Sequence, residues 1–198
     1  MPKLFIIAGP PGIGKSTNGR SFVPPTVEIL NHDSLAQYYK NKGEFDYQEL
    51  SNLKANDFIN EQLALQIDFG VELNLGFENH YDFLKYVNKK FPNYQIHLIL
   101  FFTDNLQICL DRASFRALAG GHKVSPEVVK EMYENTLPLF QIYSKTVESV
   151  QFINVIDSKI SPDLVYSLRY PTEKDEFIHP DLPQWVVQNF PKIVGRRI

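Results

Sequence analysis

Apolar and polar positions along the chain alternate between short apolar runs and longer amphipathic stretches. Leu4, Phe5, Ile6, Ile7 and Ala8 make a run of strand length. A second short strand is expected at residues 26–30, after Pro24-Pro25, and a third at residues 71–75, where apolar and polar positions alternate. Residues 94–103 are the most strand-like segment and predict a central strand, and residues 150–156 give a fifth. Between these runs apolar residues recur at helical spacing. Residues 46–68 carry Leu50, Leu53, Phe58, Ile59, Leu63 and Ile67, with Gly70 as the expected stop. Residues 79–90 and the stretch from Leu106 to Ala117 follow the same pattern, and Ser125-Pro126 opens a further helix toward Val147. Alternating strands and helices predict an α/β fold: a mostly parallel five-stranded sheet with helices on both faces. Residues 159–198 are rich in proline and contain an expected strand near residues 164–170 and a short helix around Trp185 and Phe190. They read as a C-terminal extension of a core at residues 1–158, all within a single domain of residues 1–198.

The stretch after the first strand gives the pattern its chemistry. Gly9-Pro10-Pro11-Gly12-Ile13-Gly14-Lys15-Ser16-Thr17 fits G-x-x-x-x-G-K-S/T without a mismatch, and helix-tolerant residues run on to Phe22. Glycines let backbone N–H groups close around phosphate oxygens, and the helix dipole adds positive potential. Lys15 would reach the β/γ-phosphates and Ser16 would ligate Mg²⁺. This predicts a three-layer P-loop NTPase fold that takes ATP with Mg²⁺. The Lys15 ammonium is expected to stand exposed in the empty loop.

Further along the chain, each candidate admits two readings. Asp33 follows the second strand, so it faces the crevice at the strand ends, unless Asn31 or Asp33 merely caps the next helix. Glu72 is a carboxylate in the middle of an apolar strand, which calls for a function or for an edge position. Asp104 heads Asp104-Asn105-Leu106-Gln107, a capping box in preference to a metal ligand. Arg112 and Arg116 share a helix flank just before Gly120-Gly121 and describe a helical lid over phosphates, against the alternative of two solvated side chains.

The totals exclude several classes. With 198 residues, 43% hydrophobic and 22% charged, the chain suits a globular domain, and its net charge of -3 gives no reason to expect nucleic-acid or membrane partners. The lone Cys109 excludes an internal disulfide, and the apolar runs are too short to span a bilayer. The strand and loop start so early that no signal peptide is expected, which makes cytoplasm the default location. Arg196-Arg197 reads as a solvated end.

Taken together, Gly9 to Thr17, Asn31-His32-Asp33, Glu72 and the run from Ile96 to Val124, with Arg112, Arg116 and Gly120-Gly121-His122, resemble the zeta-toxin-like P-loop kinases. That group includes proteins catalogued as predicted ABC-type ATPases. The resemblance implies that Asp33 is the base on an acceptor hydroxyl, that Glu72 faces the acceptor, and that Arg112 and Arg116 form the lid over the transferring phosphoryl group, which Lys15 of the phosphate loop also serves; Asn74, two residues after Glu72, is a further candidate for binding the acceptor. The chain departs from the family at Leu73-Asn74-Leu75-Gly76, where relatives carry threonine or serine after the acid, so the toxins' UDP-linked amino sugar is not carried over. The expected activity is Mg-ATP-dependent phosphorylation of a small-molecule hydroxyl. An antitoxin partner is known in the family, but nothing in the sequence itself points to one. The rival is an ATP-driven conformational module read by a protein partner. Leu118-Ala119-Gly120-Gly121-His122 superficially resembles the ABC signature, but Ser158 follows Asp157 where such a module needs a hydrolytic glutamate.

Overall fold

The computed structural model describes residues 1–157, 162–169 and 174–194; Ser158, Tyr170 and Arg196-Arg197 lie outside them. Strand β1 (Lys3–Ala8) runs into the phosphate loop and the short helix α1 (Lys15–Asn18). β2 (Glu28–Leu30), α2 (His32–Asn41), α3 (Tyr47–Leu65), β3 (Phe69–Leu73) and α4 (His80–Lys90) follow. Next come β4 (Gln95–Phe102), α5 (Leu106–Leu118), α6 (Pro126–Tyr143) and β5 (Ser149–Asn154). β6 (Asp163–Arg169), β7 (Lys174–Ile178), α7 (Gln184–Asn189) and α8 (Pro191–Val194) complete the described residues.

The sheet order is β2-β3-β1-β4-β5-β6-β7. The first five strands are parallel, as expected, but the sheet has seven strands because β6 and β7 add to β5 antiparallel. The strand expected near residues 164–170 is β6, and β7, which was not expected, pairs with it antiparallel. Alternation along β1 sorts its side chains: Leu4, Ile6 and Ala8 enter one apolar cluster, while Phe5 and Ile7 enter another. β4 does the same with Leu98 and Leu100 against Ile99 and Phe101. Helices therefore cover both faces, and burying side chains such as Phe69, Phe101 and Phe152 contributes about 1.5–3 kcal/mol each.

Two boundaries differ from expectation. Gln66, in the left-handed conformation at φ 54°, ends α3, whereas Gly70 lies inside β3. A Cβ on Gly70 would come 3.1 Å from Ile29, so the small residue serves close strand packing. The Tyr94 hydroxyl lies 2.8 Å from the carbonyls of both Gln62 and Ile67 and fastens the end of α3. Second, Asp104 does not cap α5. Asn105 does, accepting from Gln107 N, and Asp104 instead accepts from Gln184 N at 3.0 Å. It thereby satisfies the free first amide of α7 and ties the C-terminal extension to the end of β4. Among the described residues, no helix is long and apolar enough to cross a membrane.

Candidate active site

The phosphate loop leaves the carboxyl end of β1 at the centre of the parallel strands, where ligands bind in open α/β sheets. Two glycines fix its path. Gly9 has φ 141°, and a Cβ there would stand 2.3 Å from the Phe101 carbonyl oxygen. Gly12 has φ 81°, and its Cβ would stand 2.2 Å from the Cys109 carbonyl oxygen. Only glycine lets the loop pass between β4 and α5. The helix expected to run on to Phe22 is a single α-turn, Lys15–Asn18, that tightens into a 3-10 turn over Gly19–Phe22 ahead of Pro24-Pro25. Positive potential here therefore comes from the loop amides more than from a long helix dipole.

The Lys15 ammonium does not stand free. It donates to the carbonyls of Gly9 (2.7 Å) and Pro10 (3.1 Å) and to Asn74 Oδ1 (2.9 Å). Burial pulls its pKa down to about 8, against the opposing pull of Glu72 and then Asp33. Beside it, the Ser16 hydroxyl donates to Glu72 Oε2 at 2.8 Å. β3 lies between β2 and β1, so Glu72 is no edge residue; it stands at the carboxyl end of an interior strand.

Asn31 settles the capping alternative. Its Oδ1 accepts from Ser34 N at 2.9 Å and its Nδ2 donates to Ser16 Oγ at 2.9 Å, so it caps α2 and touches the phosphate loop at once. Asn31→Ala should lower stability by about 1 kcal/mol, seen as a lower midpoint in thermal unfolding. Asp33, in the first turn of α2, is left free of capping. Its carboxylate lies 3.3 Å from Arg116 Nη1, across the cleft on α5. Arg112 Nη2 lies 3.4 Å from Asp157 Oδ1. Both arginines are half-buried, and Gly121 packs against the Arg116 stem, where a Cβ would come 2.8 Å from Cγ.

After β3 the chain is held tightly. Leu75 is fully buried at φ 52°, an uncommon conformation for leucine, and Gly76 lies against Met132, where a Cβ would come 2.6 Å from the Met132 Cβ. This turn presents Asn74 to Lys15. The same segment ends at His80, whose Nδ1 accepts from Phe77 N at 3.3 Å. Burial, and then the charge of Lys15, lowers the His80 pKa; burial also lowers that of His32.

One cleft of about 1100 Å³ collects Pro11, Gly12, Gly14, Lys15, Ser16 and Thr17 from the loop, and Asp33, Glu72, Asn74, Arg112 and Arg116 from the surrounding elements. Gly9, Pro10 and Ile13 are buried in the loop's support. His80 also lines the cleft, and sequence reasoning passed over it because the stretch between β3 and α4 carries no motif. The stretch from Leu118 to His122 closes α5 and turns away at Gly120 (φ 85°). It opens no helix, which removes the likeness to the ABC signature.

No protein-family model matches this sequence, and no curated protein matches it. Solved structures do. AvrRxo1-ORF1:AvrRxo1-ORF2 with sulphate ions aligns at TM-score 0.67 and 12% identity, over 100% of this chain and 65% of that one. The same pair with ATP aligns at TM-score 0.62 and 13% identity, over 89% and 61%. The PezAT chromosomal toxin–antitoxin system of Streptococcus pneumoniae aligns at TM-score 0.57 and 13% identity, over 100% and 85%. The chain thus spans less than two thirds of the first two. The chain shares the fold of these structures, in keeping with the P-loop fold that the resemblance to the zeta-toxin-like kinases implies.

Proposed function

We propose that the protein is a Mg-ATP-dependent phosphotransferase acting on a hydroxyl of a small molecule. The observation that carries this reading is the convergence of Lys15, Ser16, Asp33, Glu72, Arg112 and Arg116 on one cleft at the carboxyl ends of the parallel strands. Phosphoryl transfer needs positioning and charge neutralisation above all, and this set supplies both. The structural relative solved with ATP supports the choice of nucleotide.

In this reading the loop amides and Lys15 hold the phosphates, the ammonium exchanging its carbonyl partners for phosphate oxygens. Ser16 Oγ and the Glu72 carboxylate, 2.8 Å apart, are hard oxygen donors that fit Mg²⁺ alongside phosphate and water. Bound there, the ion would neutralise charge on the phosphates. Glu72 thus belongs with the metal and not, as the family resemblance implies, with the acceptor. Asp33 takes the proton of the acceptor hydroxyl as its oxygen attacks the terminal phosphorus, and the bond to the leaving ADP breaks. Arg112 and Arg116 stand on α5 to meet the charge on the transferring group.

Asp33 is the testable link. The Asp33→Asn variant keeps the shape but cannot take a proton, and it should turn over on the order of 10²-fold more slowly. Asn31 supplies the helix cap and the Asp33–Arg116 pair is half exposed, so stability should change by less than about 1 kcal/mol. Steady-state rates and thermal unfolding of this variant measure the two effects. A parental rate would remove Asp33 from catalysis.

A further inference from the structure

We propose that the acceptor is an uncharged polyhydroxylated compound and that His80 binds it through Nε2–H. This rests on the phosphotransferase reading and adds the chemical class of its second substrate.

The two walls of the cleft differ in charge. Lys15, Arg112, Arg116 and Lys123 all come from the phosphate loop, α5 and the segment after it. The opposite wall, built by the ends of β2 and β3, α2, the turn after β3 and α4, contributes Asn31, His32, Asp33, Glu72, Asn74 and His80. Among the described residues, those that line the cleft on this side include no lysine or arginine. Two cations of the first wall reach across: Lys15 donates to Asn74 Oδ1 at 2.9 Å, and the Arg116 guanidinium is met by Asp33 at 3.3 Å. A phosphate or carboxylate on the acceptor would lie beside the Asp33 carboxylate, on a wall that adds no lysine or arginine of its own to the cations that serve the triphosphate. A triphosphate, in contrast, is served by the cationic wall. What the acceptor wall offers is a set of carboxylate, amide and imidazole groups, the partners of hydroxyls.

His80 has the most defined role in that set. The Phe77 amide donates to Nδ1 at 3.3 Å, which makes Nδ1 the acceptor nitrogen and assigns the proton to Nε2 in the neutral ring. The Phe77 ring packs beside the imidazole with centroids 5.4 Å apart and fixes its orientation. Burial and Lys15 both disfavour the charged form, so the ring offers a neutral donor and not a cation. The clamped turn through Leu75 and Gly76 joins this donor to Asn74, and hence to the Lys15 that serves the phosphates. A hydroxyl bonded to His80 would therefore be positioned relative to the phosphoryl donor.

The test uses the full chain with Mg-ATP and a deproteinised cell extract passed over anion and cation exchangers in series. Acceptor-dependent ADP release should appear with the unretained fraction. With that fraction, His80→Ala should raise the amount needed for half-maximal rate about 10-fold while leaving half-saturating ATP unchanged, and His80→Gln, which keeps an N–H donor, should recover most of the loss. Stimulation only by a retained fraction would overturn the uncharged class and leave the phosphotransferase standing. An unchanged half-maximal amount in His80→Ala would overturn the role of His80. Absence of stimulation by every fraction, with ATP still bound in a titration, would overturn the phosphotransferase reading, and this inference with it.

Discussion

Lys15→Ala is expected to leave no measurable ATP turnover and to weaken ATP binding by about 10- to 100-fold. The magnitude follows from the loss of a charge-assisted contact, worth roughly 1.5–3 kcal/mol, at a point where the phosphates gather the most negative charge. Its pKa of about 8 leaves the group mostly protonated at pH 7, so the contact is present under ordinary conditions. The side chain is not a bystander in the nucleotide-free loop, since it satisfies Gly9, Pro10 and Asn74. Its removal deletes those bonds but also relieves the cost of a buried charge, and the two terms oppose one another. The melting temperature should therefore move little while the affinity falls. Calorimetric titration with ATP, alongside thermal unfolding, separates the two. Unchanged affinity would refute the assignment of the phosphate loop.

Arg112→Ala and Arg116→Ala should each slow turnover on the order of 10³-fold, with a smaller effect on ATP affinity. A guanidinium that meets charge formed during transfer acts on kcat; one that merely decorates a helix acts on nothing. Both ion pairs leave their partners at least partly in solvent, Asp157 at 77% and Asp33 at 50% side-chain exposure, so breaking either should cost little stability. The variants differ in one respect. Losing Arg116 also frees Asp33, its partner across the cleft, so a double variant with Asp33→Asn should lose less than the product of the single effects. Steady-state rates of the singles and the double provide this comparison. Near-parental kcat in both single variants would make the arginines surface residues.

The parallel core was legible in the sequence because each of its strands is a short apolar run bounded by turn residues, and the phosphate loop because its composition has few other uses. Asp33, Arg112 and Arg116 were legible as candidates from their places after a strand and before a glycine pair. Pairwise contacts could not be read. Asn31 holding both α2 and Ser16, or Glu72 lying under Ser16, depends on three-dimensional register between β1, β2 and β3. Gly70 misled because glycine ends a helix and permits close strand contact equally well. Asp104 looked like a local cap, but its partner Gln184 is 80 residues away, a distance no local pattern encodes. β7 escaped notice because its lysine and acidic residues, and the prolines around it, hide the strand signal. His80 has no motif at all. Its meaning comes from the turn that aims it.

The central claim, transfer of a phosphoryl group to an acceptor, is tested most directly by counting both products in one reaction. The full chain, Mg-ATP labelled in the terminal phosphate and a deproteinised metabolite pool should yield ADP and a labelled phosphorylated compound in equal amounts, with both falling together when the acceptor is exhausted. Slow ADP release with the label recovered only as inorganic phosphate, at a rate indifferent to the added pool, would contradict it and favour an ATP-driven switch.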